Sequence, residues 1–273
     1  MKRITHILFV VAAHAWSPLF CQQWEIGGHI AATGFMGDIN PSNPWYFKSG
    51  GAGLQLTYNI NPTWGVQAGY QMLHLQASDR DSKDPYRYNR GQKFNNIVHE
   101  ASLRANFNFF RFIAGRAVNR YTPYLFAGIG GLLHEPYLYS TNGTRHRMED
   151  LQLQQYATIR KFALAAPFGL GMKYNLKGPW SLGAELAYRV VFNDDLDNIS
   201  NNYPTPGQYP AAYASSFPEM DRIWWESVAY PDPSNIAAYQ GKAKGNNRST
   251  DGYMTAGFTV TYTLISKRCY WWN

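Results

Sequence analysis

At 273 residues the chain is long enough for one large domain or two ordinary ones, yet only 16% of it is charged while 16% is aromatic, and its formal net charge is +7. Aromatic enrichment without charge suits a surface that faces lipid. Beyond the first residues, no apolar run approaches the ~20 residues a membrane helix needs. That excludes a helical membrane protein and leaves a closed barrel as the spanning option.

The chain opens MKRITHILFVVAAHAW. Lys2 and Arg3 precede an apolar stretch, Ile7 to Ala15, that is too short to cross a bilayer, so residues 1–21 read as a secretory signal. Ala13-His14-Ala15 fits the small-residue cleavage rule, but cleavage before Gln22 leaves a conventional Gln-Gln-Trp start and is preferred. Phe20 ahead of Cys21 argues against lipidation. The mature chain then keeps Cys269 alone, which excludes an internal disulfide. Export also excludes nucleic acid as a partner, despite the positive charge.

From residue 22 to 265 the pattern is a barrel. Segments 24–34, 50–60, 63–77, 94–109, 121–133, 161–175, 180–193 and 251–265 read as eight strands. In the second, Leu54, Leu56, Tyr58 and Ile60 alternate with Gln55, Thr57 and Asn59. The fifth is apolar on both sides. Pro167 in the sixth removes a ladder donor and predicts a bulge or kink there. The seventh is the clearest: Trp180, Leu182, Ala184, Leu186, Tyr188, Val190 and Phe192 oppose Ser181, Gly183, Glu185, Arg189 and Asn193. Aromatics near the strand ends and ionisable groups in the middle are the arrangement of a transmembrane barrel with a polar lumen. The eighth repeats it, with Met254, Phe258, Val260, Tyr262 and Leu264 against a run of threonines. The fold class is therefore all-β, an eight-stranded antiparallel transmembrane β-barrel.

The connections alternate in length. Asn61-Pro62, 110–120 and 176–179 are short, whereas 35–49, 78–93, 134–160 and 194–250 are long. Outer-membrane barrels keep their turns in the periplasm and their loops outside, so both termini are expected in the periplasm of a bacterial outer membrane. This brings Trp24, Tyr58, Trp64, Tyr124, Tyr174, Trp180 and Tyr262 to one level as an interfacial girdle against outer-membrane lipids. A soluble β-sandwich or lipocalin-like barrel would have to bury Glu25, Glu100, Arg104, Lys173, Glu185 and Arg189, or expose every girdle aromatic to water.

Counted up from the girdle, Arg104 and Glu185 each stand about five residues from the strand end, and Glu100 and Arg189 about nine. An interior of eight strands is just filled by side chains, so these four residues are expected to form an ion-pair network that closes the lumen. In Asp194-Asp195-Leu196-Asp197 no acid follows at the spacing of a calcium loop, and the run reads as an Asx-rich loop start rather than a cation site. The histidines are dispersed. No metal, cofactor or catalytic set is expected, and the chain reads as a non-enzyme. The 194–250 loop, rich in proline, tryptophan and tyrosine, reads as a partly ordered cap.

At the periplasmic end, Arg111, Arg116, Arg120, Lys173 and Lys177 are joined by Lys267 and Arg268 in the tail, with Glu25 the sole acid close by. Such a face either snorkels to anionic headgroups or docks an acidic partner. The tail of residues 266–273 adds Tyr270, Trp271 and Trp272, which favour docking. Lys267 and Arg268 favour the thiolate of Cys269, which is either inert or pairs with a periplasmic component.

Several stretches resemble the PorG-like outer-membrane barrel family of the type IX secretion system: WEIGGHIAATGFMGDIN, YTPYLFAGIGG, PFGLGMKYNL, LGAELAYRVVFNDDLDNIS and YMTAGFTVTYTL. The resemblance runs from Trp24 to Leu264. This chain departs from it at Asp194-Asp195-Leu196-Asp197, where the family places an aromatic between the aspartates. The resemblance implies an anchor for the periplasmic ring built from the PorK lipoprotein and PorN, and it offers the lipoprotein as a partner for Cys269. The expected binding residues are Arg111, Arg116, Arg120, Lys177, Lys267, Arg268, Cys269, Trp271 and Trp272. The alternative is a passive envelope barrel or adhesin acting through its loops.

Overall fold

The computed structural model describes residues 24–40, 43, 45–114, 119–154, 160–199, 201–205, 219–245 and 249–264. The expected signal sequence, Arg116 and the tail from Lys267 to Trp272 lie outside the described residues. Eight long strands run β1 Trp24–Met36, β2 Ser49–Asn59, β3 Trp64–Ser78, β4 Lys93–Asn108, β5 Tyr121–Tyr139, β7 Phe162–Lys177, β8 Trp180–Val191 and β9 Asp251–Thr263, with a short β6 at Arg145–Arg147. Each pairs antiparallel with the next, and β9 returns to β1, matching Glu25 with Thr263 and Met36 with Gly252. The eight long strands close into a barrel, and the short β6 is an edge strand paired only with β5.

The polarity is inside out. Ile30, Leu54, Ile129, Leu170 and Phe258 are among the most exposed residues, whereas Gln67, Gln71, Glu100, Arg104, Lys173 and Arg189 are buried. A water-soluble barrel reverses this order, so the exterior faces hydrocarbon. None of the described helices is long and apolar enough to cross a membrane. At the turn end, aromatic pairs ring the barrel: Trp24 with Tyr58, Trp64 with Phe107, Phe110 with Tyr121, and Trp180 with Tyr262.

Three expectations need correction. Tyr124 is not in the girdle. It is buried in the lumen, because β5 carries apolar residues on both faces and Thr122 and Phe126 share the inward phase with Tyr124. Pro167 causes no bulge: it stays in register opposite Arg189, and the effect is a local gap in the β5–β7 ladder between the Ala127–Phe168 and Gly130–Ala165 pairs. The register shift falls instead between Asn175 and Lys177. Finally, β5 does not stop at 133; it runs to Tyr139 and folds back on β6.

Above the barrel mouth at the loop end lies a hydrophobic core. Leu73, Leu75, Phe94, Val98, Leu132 and Val191 from the strand tips pack with Met148, Leu151, Leu196, Trp225 and Tyr230 from the loops. The helix Glu219–Ala229 supplies Trp225, whose Nε1 donates to the Leu151 carbonyl at 2.8 Å.

Candidate functional site

The lumen is filled in three layers. Nearest the turns, Lys173 Nζ lies 3.4 Å from Glu25 Oε2, and Asn59 Nδ2 donates to Glu25 Oε1 at 2.8 Å. Lys173 is therefore neutralised inside the barrel and is not part of the surface charge, contrary to the expectation from its position in the chain. Above it, Arg104 Nη1 and Nη2 donate to both Glu185 oxygens at 2.7 and 2.9 Å, Tyr124 OH donates to Glu185 at 2.9 Å, and the guanidinium lies 4.3 Å over the Phe126 ring. With its amide turned so that oxygen faces the guanidinium, Gln67 accepts from Arg104 at 2.7 Å.

The third layer centres on Glu100. It accepts from Arg189 Nε at 2.9 Å, from Gln71 Nε2 at 2.8 Å and from Tyr253 OH. Arg189 Nη1 also donates to Thr255 at 2.6 Å, and Gln71 accepts from His29 Nε2 at 3.1 Å. Equal counts up the strands place Arg104 level with Glu185 and Glu100 level with Arg189, and the structure brings these residues together in those two pairs. Sequence reasoning did not reach Gln71, Tyr253, Thr255 or Tyr124. The signal for Tyr253 is present, since it shares parity with Thr255 and Thr259.

Glycines make room for these large side chains. Gly128 stands opposite Arg104, Gly171 opposite Tyr124 and Gly169 opposite Phe126, and a Cβ at Gly171 would strike the Tyr124 ring. The cavity remaining among His29, Gln71, Arg104, Glu185 and Arg189 is about 20 Å³, room for about one water molecule. The ion pairs Arg104–Glu185, Arg189–Glu100 and Lys173–Glu25 cross-link the strands through the lumen, although Glu100 Oε1 and His29 Nδ1 are buried without a hydrogen-bond partner.

At the turn end, Arg111, Arg120 and Lys177 are exposed. Asn119 Nδ2 donates to the Arg111 carbonyl at 3.1 Å. Apart from the buried, paired Glu25, no acidic residue stands near them among the described residues.

The cap over the other end carries the densest acid. Arg90, at the end of the helix Pro85–Arg90, forks onto Asp79 at 2.6 and 2.8 Å and also donates to the carbonyls of Lys244 and Asp38. Asp38, Asp194, Asp197 and Asp251 are buried around this arginine layer. Burial, together with Asp38, pushes the Asp194 carboxyl up to about 7, and burial with Asp38 and Asp194 also raises Asp197. Arg160 donates to Asp195 at 3.1 Å.

Residues 2–212 match the family described as Domain of unknown function (DUF6089). The chain belongs to that family. No curated protein matches it in sequence. Among solved structures, the DUF6089 barrel is similar to Neisserial surface protein A (NspA), at 9% identity and TM-score 0.44, over 88% of this chain and 97% of that one. It is also similar to Ail, the attachment invasion locus protein of Yersinia pestis, at 12% identity and TM-score 0.38, over 88% and 98%. OprG, an outer membrane protein from Pseudomonas aeruginosa, matches at 11% identity and TM-score 0.39, over 89% and 96%.

Proposed function

We propose that this protein is a closed outer-membrane anchor whose turn end faces the periplasm and docks a periplasmic protein assembly. The observation that carries the reading is the filled lumen: with its charges paired inside and a cavity of about 20 Å³, the barrel offers its rims rather than a channel. The exposed Arg111, Arg120 and Lys177, without a neighbouring acid among the described residues, supply complementary charge for an acidic surface. Arg116, Lys267, Arg268, Trp271 and Trp272 extend that surface in the sequence, and Cys269 offers a thiol for an intermolecular disulfide. The resemblance to PorG-like barrels supports the ring of the type IX secretion system, with PorK-like and PorN-like proteins, as the assembly.

The test is affinity purification from mild detergent of wild type and of the Arg111→Glu/Arg116→Glu/Arg120→Glu variant. An anchor brings down an acidic periplasmic partner that the variant loses while the barrel stays folded. Equal recovery from both forms removes the docking surface. Non-reducing gels of wild type against Cys269→Ala test the thiol, and an unchanged band pattern ends that part of the reading.

A second reading, a barrel that acts through its loops, is favoured by the exposed Trp45 and Tyr86 on the cap, 64% and 67% accessible. Such aromatics suit contact with a partner surface. A loop-acting barrel is indifferent to the charge reversal at the turn end.

A further inference from the structure

On the outer wall, β2, β3 and β4 change character toward their loop ends. Leu54, Met72 and Leu103 are each more than half exposed and belong to the band that meets hydrocarbon. Within two pleats above Met72 the same wall turns polar: Gln76 stands opposite Asn95, and Ser78 opposite Lys93. Such a step from apolar to polar side chains on one wall marks the level of the lipid headgroups.

Two adjoining cavities lie at and above this level. One, of about 280 Å³, is lined by Asn40, Tyr46, Asp81, Lys83, Asp84 and Arg87; the other, of about 220 Å³, is lined by Lys48, Gln76, Lys93 and Asn95, and Tyr46, Ser78 and Asp81 border both. Each is close to the ~300 Å³ lower bound of a small-molecule site, so together they suit two adjoining sugar-sized groups. Tyr46 is fixed where they adjoin, because its ring packs against the cap core and its hydroxyl donates to Asp81.

The acids of this groove are already engaged. Asp81 also holds Lys48 at 3.6 Å, and Asp84 pairs with Arg87 at 3.2 Å. Lys83 and Lys93 are exposed and make no ion pair with any described residue, so the groove keeps two uncompensated ammonium groups. Arg87 Nε is buried without a hydrogen-bond partner, which leaves a donor for an oxygen acceptor. Gln76 spends its Nε2 on the Lys48 carbonyl at 2.7 Å, and no described residue donates to its amide oxygen.

We propose that this groove binds the phosphorylated saccharide headgroup of an outer-leaflet glycolipid, with Lys83 and Lys93 on phosphate and Arg87, Gln76 and Asn95 on sugar hydroxyls. Placement selects the ligand: acyl chains lie along Leu54, Met72 and Leu103 while the headgroup meets ammonium and amide groups directly above them. An anionic phospholipid satisfies the lysines alone, whereas phosphorylated sugars also fill the cavities between them with hydroxyls. The proposal rests on the orientation given above, in which the loop end faces outward.

The test is native mass spectrometry of the full-length protein in detergent, titrated with purified rough lipopolysaccharide, the same material after enzymatic dephosphorylation, phosphatidylglycerol, and inorganic phosphate. One saturable lipopolysaccharide adduct is expected, weakened by dephosphorylation and reproduced by neither phosphatidylglycerol nor phosphate. Lys83→Ala and Lys93→Ala should each weaken it about fivefold and together about 25-fold, while Lys242→Ala, at an exposed cap position outside the groove, should not; both groove lysines are exposed, so the variants keep the fold. Absence of saturable binding, full affinity in the double variant, or equal binding of phosphatidylglycerol with the same loss in that variant overturns the proposal. A membrane-impermeant maleimide applied to intact cells carrying Lys83→Cys in a Cys269→Ala background reads orientation separately. A labelled barrel that fails to bind overturns the groove alone, and an unlabelled one overturns the orientation and the glycolipid with it.

Discussion

Arg104 on β4 and Glu185 on β8 hold each other in a two-pronged ion pair at 2.7 and 2.9 Å although their strands are not neighbours in the sheet. The pair spans the lumen, and its geometry is the fork a guanidinium and a carboxylate make when both are desolvated. Removing one partner leaves a buried charge alone. Arg104→Met or Glu185→Leu should each cost about 3–5 kcal/mol, while the double variant should be less destabilised than either single one because no orphan charge remains. Urea unfolding in lipid vesicles, analysed as a double-mutant cycle, checks this. Additive losses would show that the pair contributes nothing beyond its separate side chains.

Ile129 is 71% exposed in the middle of β5, and its neighbours on the same face are Leu125 and Leu133. If that face meets hydrocarbon, Ile129→Arg should cost about 2–4 kcal/mol at mid-depth. A residue facing water would tolerate the change. The inward Thr259 makes the contrast, since Thr259→Val adds no charge and should change folding little. Folding yield into vesicles, read by heat-modifiable gel mobility, separates the two variants, and equal yields would refute the assignment of faces.

The barrel was legible wherever one face was consistently polar. In β9, Met254, Phe258, Val260 and Tyr262 alternate with threonines, and in β8 the outward apolar set alternates with Ser181, Gly183, Glu185 and Arg189, interrupted inward only by Ala187 and Val191, so the phase followed directly. In β5 both faces are apolar, the phase was undefined, and Tyr124 was assigned to lipid when it in fact donates to Glu185. Lys173 sits among basic residues in the chain, and only the closure of β9 onto β1 shows that Glu25 neutralises it. The acidic layer under the cap was half visible as Asp194, Asp195 and Asp197. Asp38, Asp79, Arg90 and Asp251 reach it by tertiary folding, which no local pattern records.

Lys244 gives the cap a pH signature. Its side chain is buried, and burial with the nearby Arg90 charge pushes the ammonium down from 10.5 to about 7, against the opposing pull of Asp197 and Asp79. Between those two values the unfolded chain holds a proton that the folded chain lacks. The Lys244 contribution to cap stability should therefore rise with pH from about 7 toward 10, by at most ~1.4 kcal/mol per pH unit, and be lost as pH falls back to 7, against an opposite contribution from the raised Asp194 and Asp197 carboxyls. Lys244→Met should flatten this slope. Urea unfolding monitored by cap tryptophans at pH 7, 8 and 9 measures it, and an identical slope in the variant would remove Lys244 as the cause.

Trp225 separates the stability of the cap from that of the barrel. Its ring is 1% exposed and meets Tyr230 edge-on, with centroids 6.1 Å apart, while its indole nitrogen donates to Leu151. Deleting so large a buried side chain costs about 3–5 kcal/mol, but no strand of the barrel depends on it for hydrogen bonds. The loss should therefore fall on a local opening unit rather than on the whole molecule. Trp225→Ala should expose the segment 219–239 to limited proteolysis while the remaining barrel keeps its heat-modifiable mobility on gels. If the barrel instead unfolds together with the cap, the two form one cooperative unit, and the hydrophobic layer joining Leu73, Leu132 and Val191 to Leu151 transmits the damage.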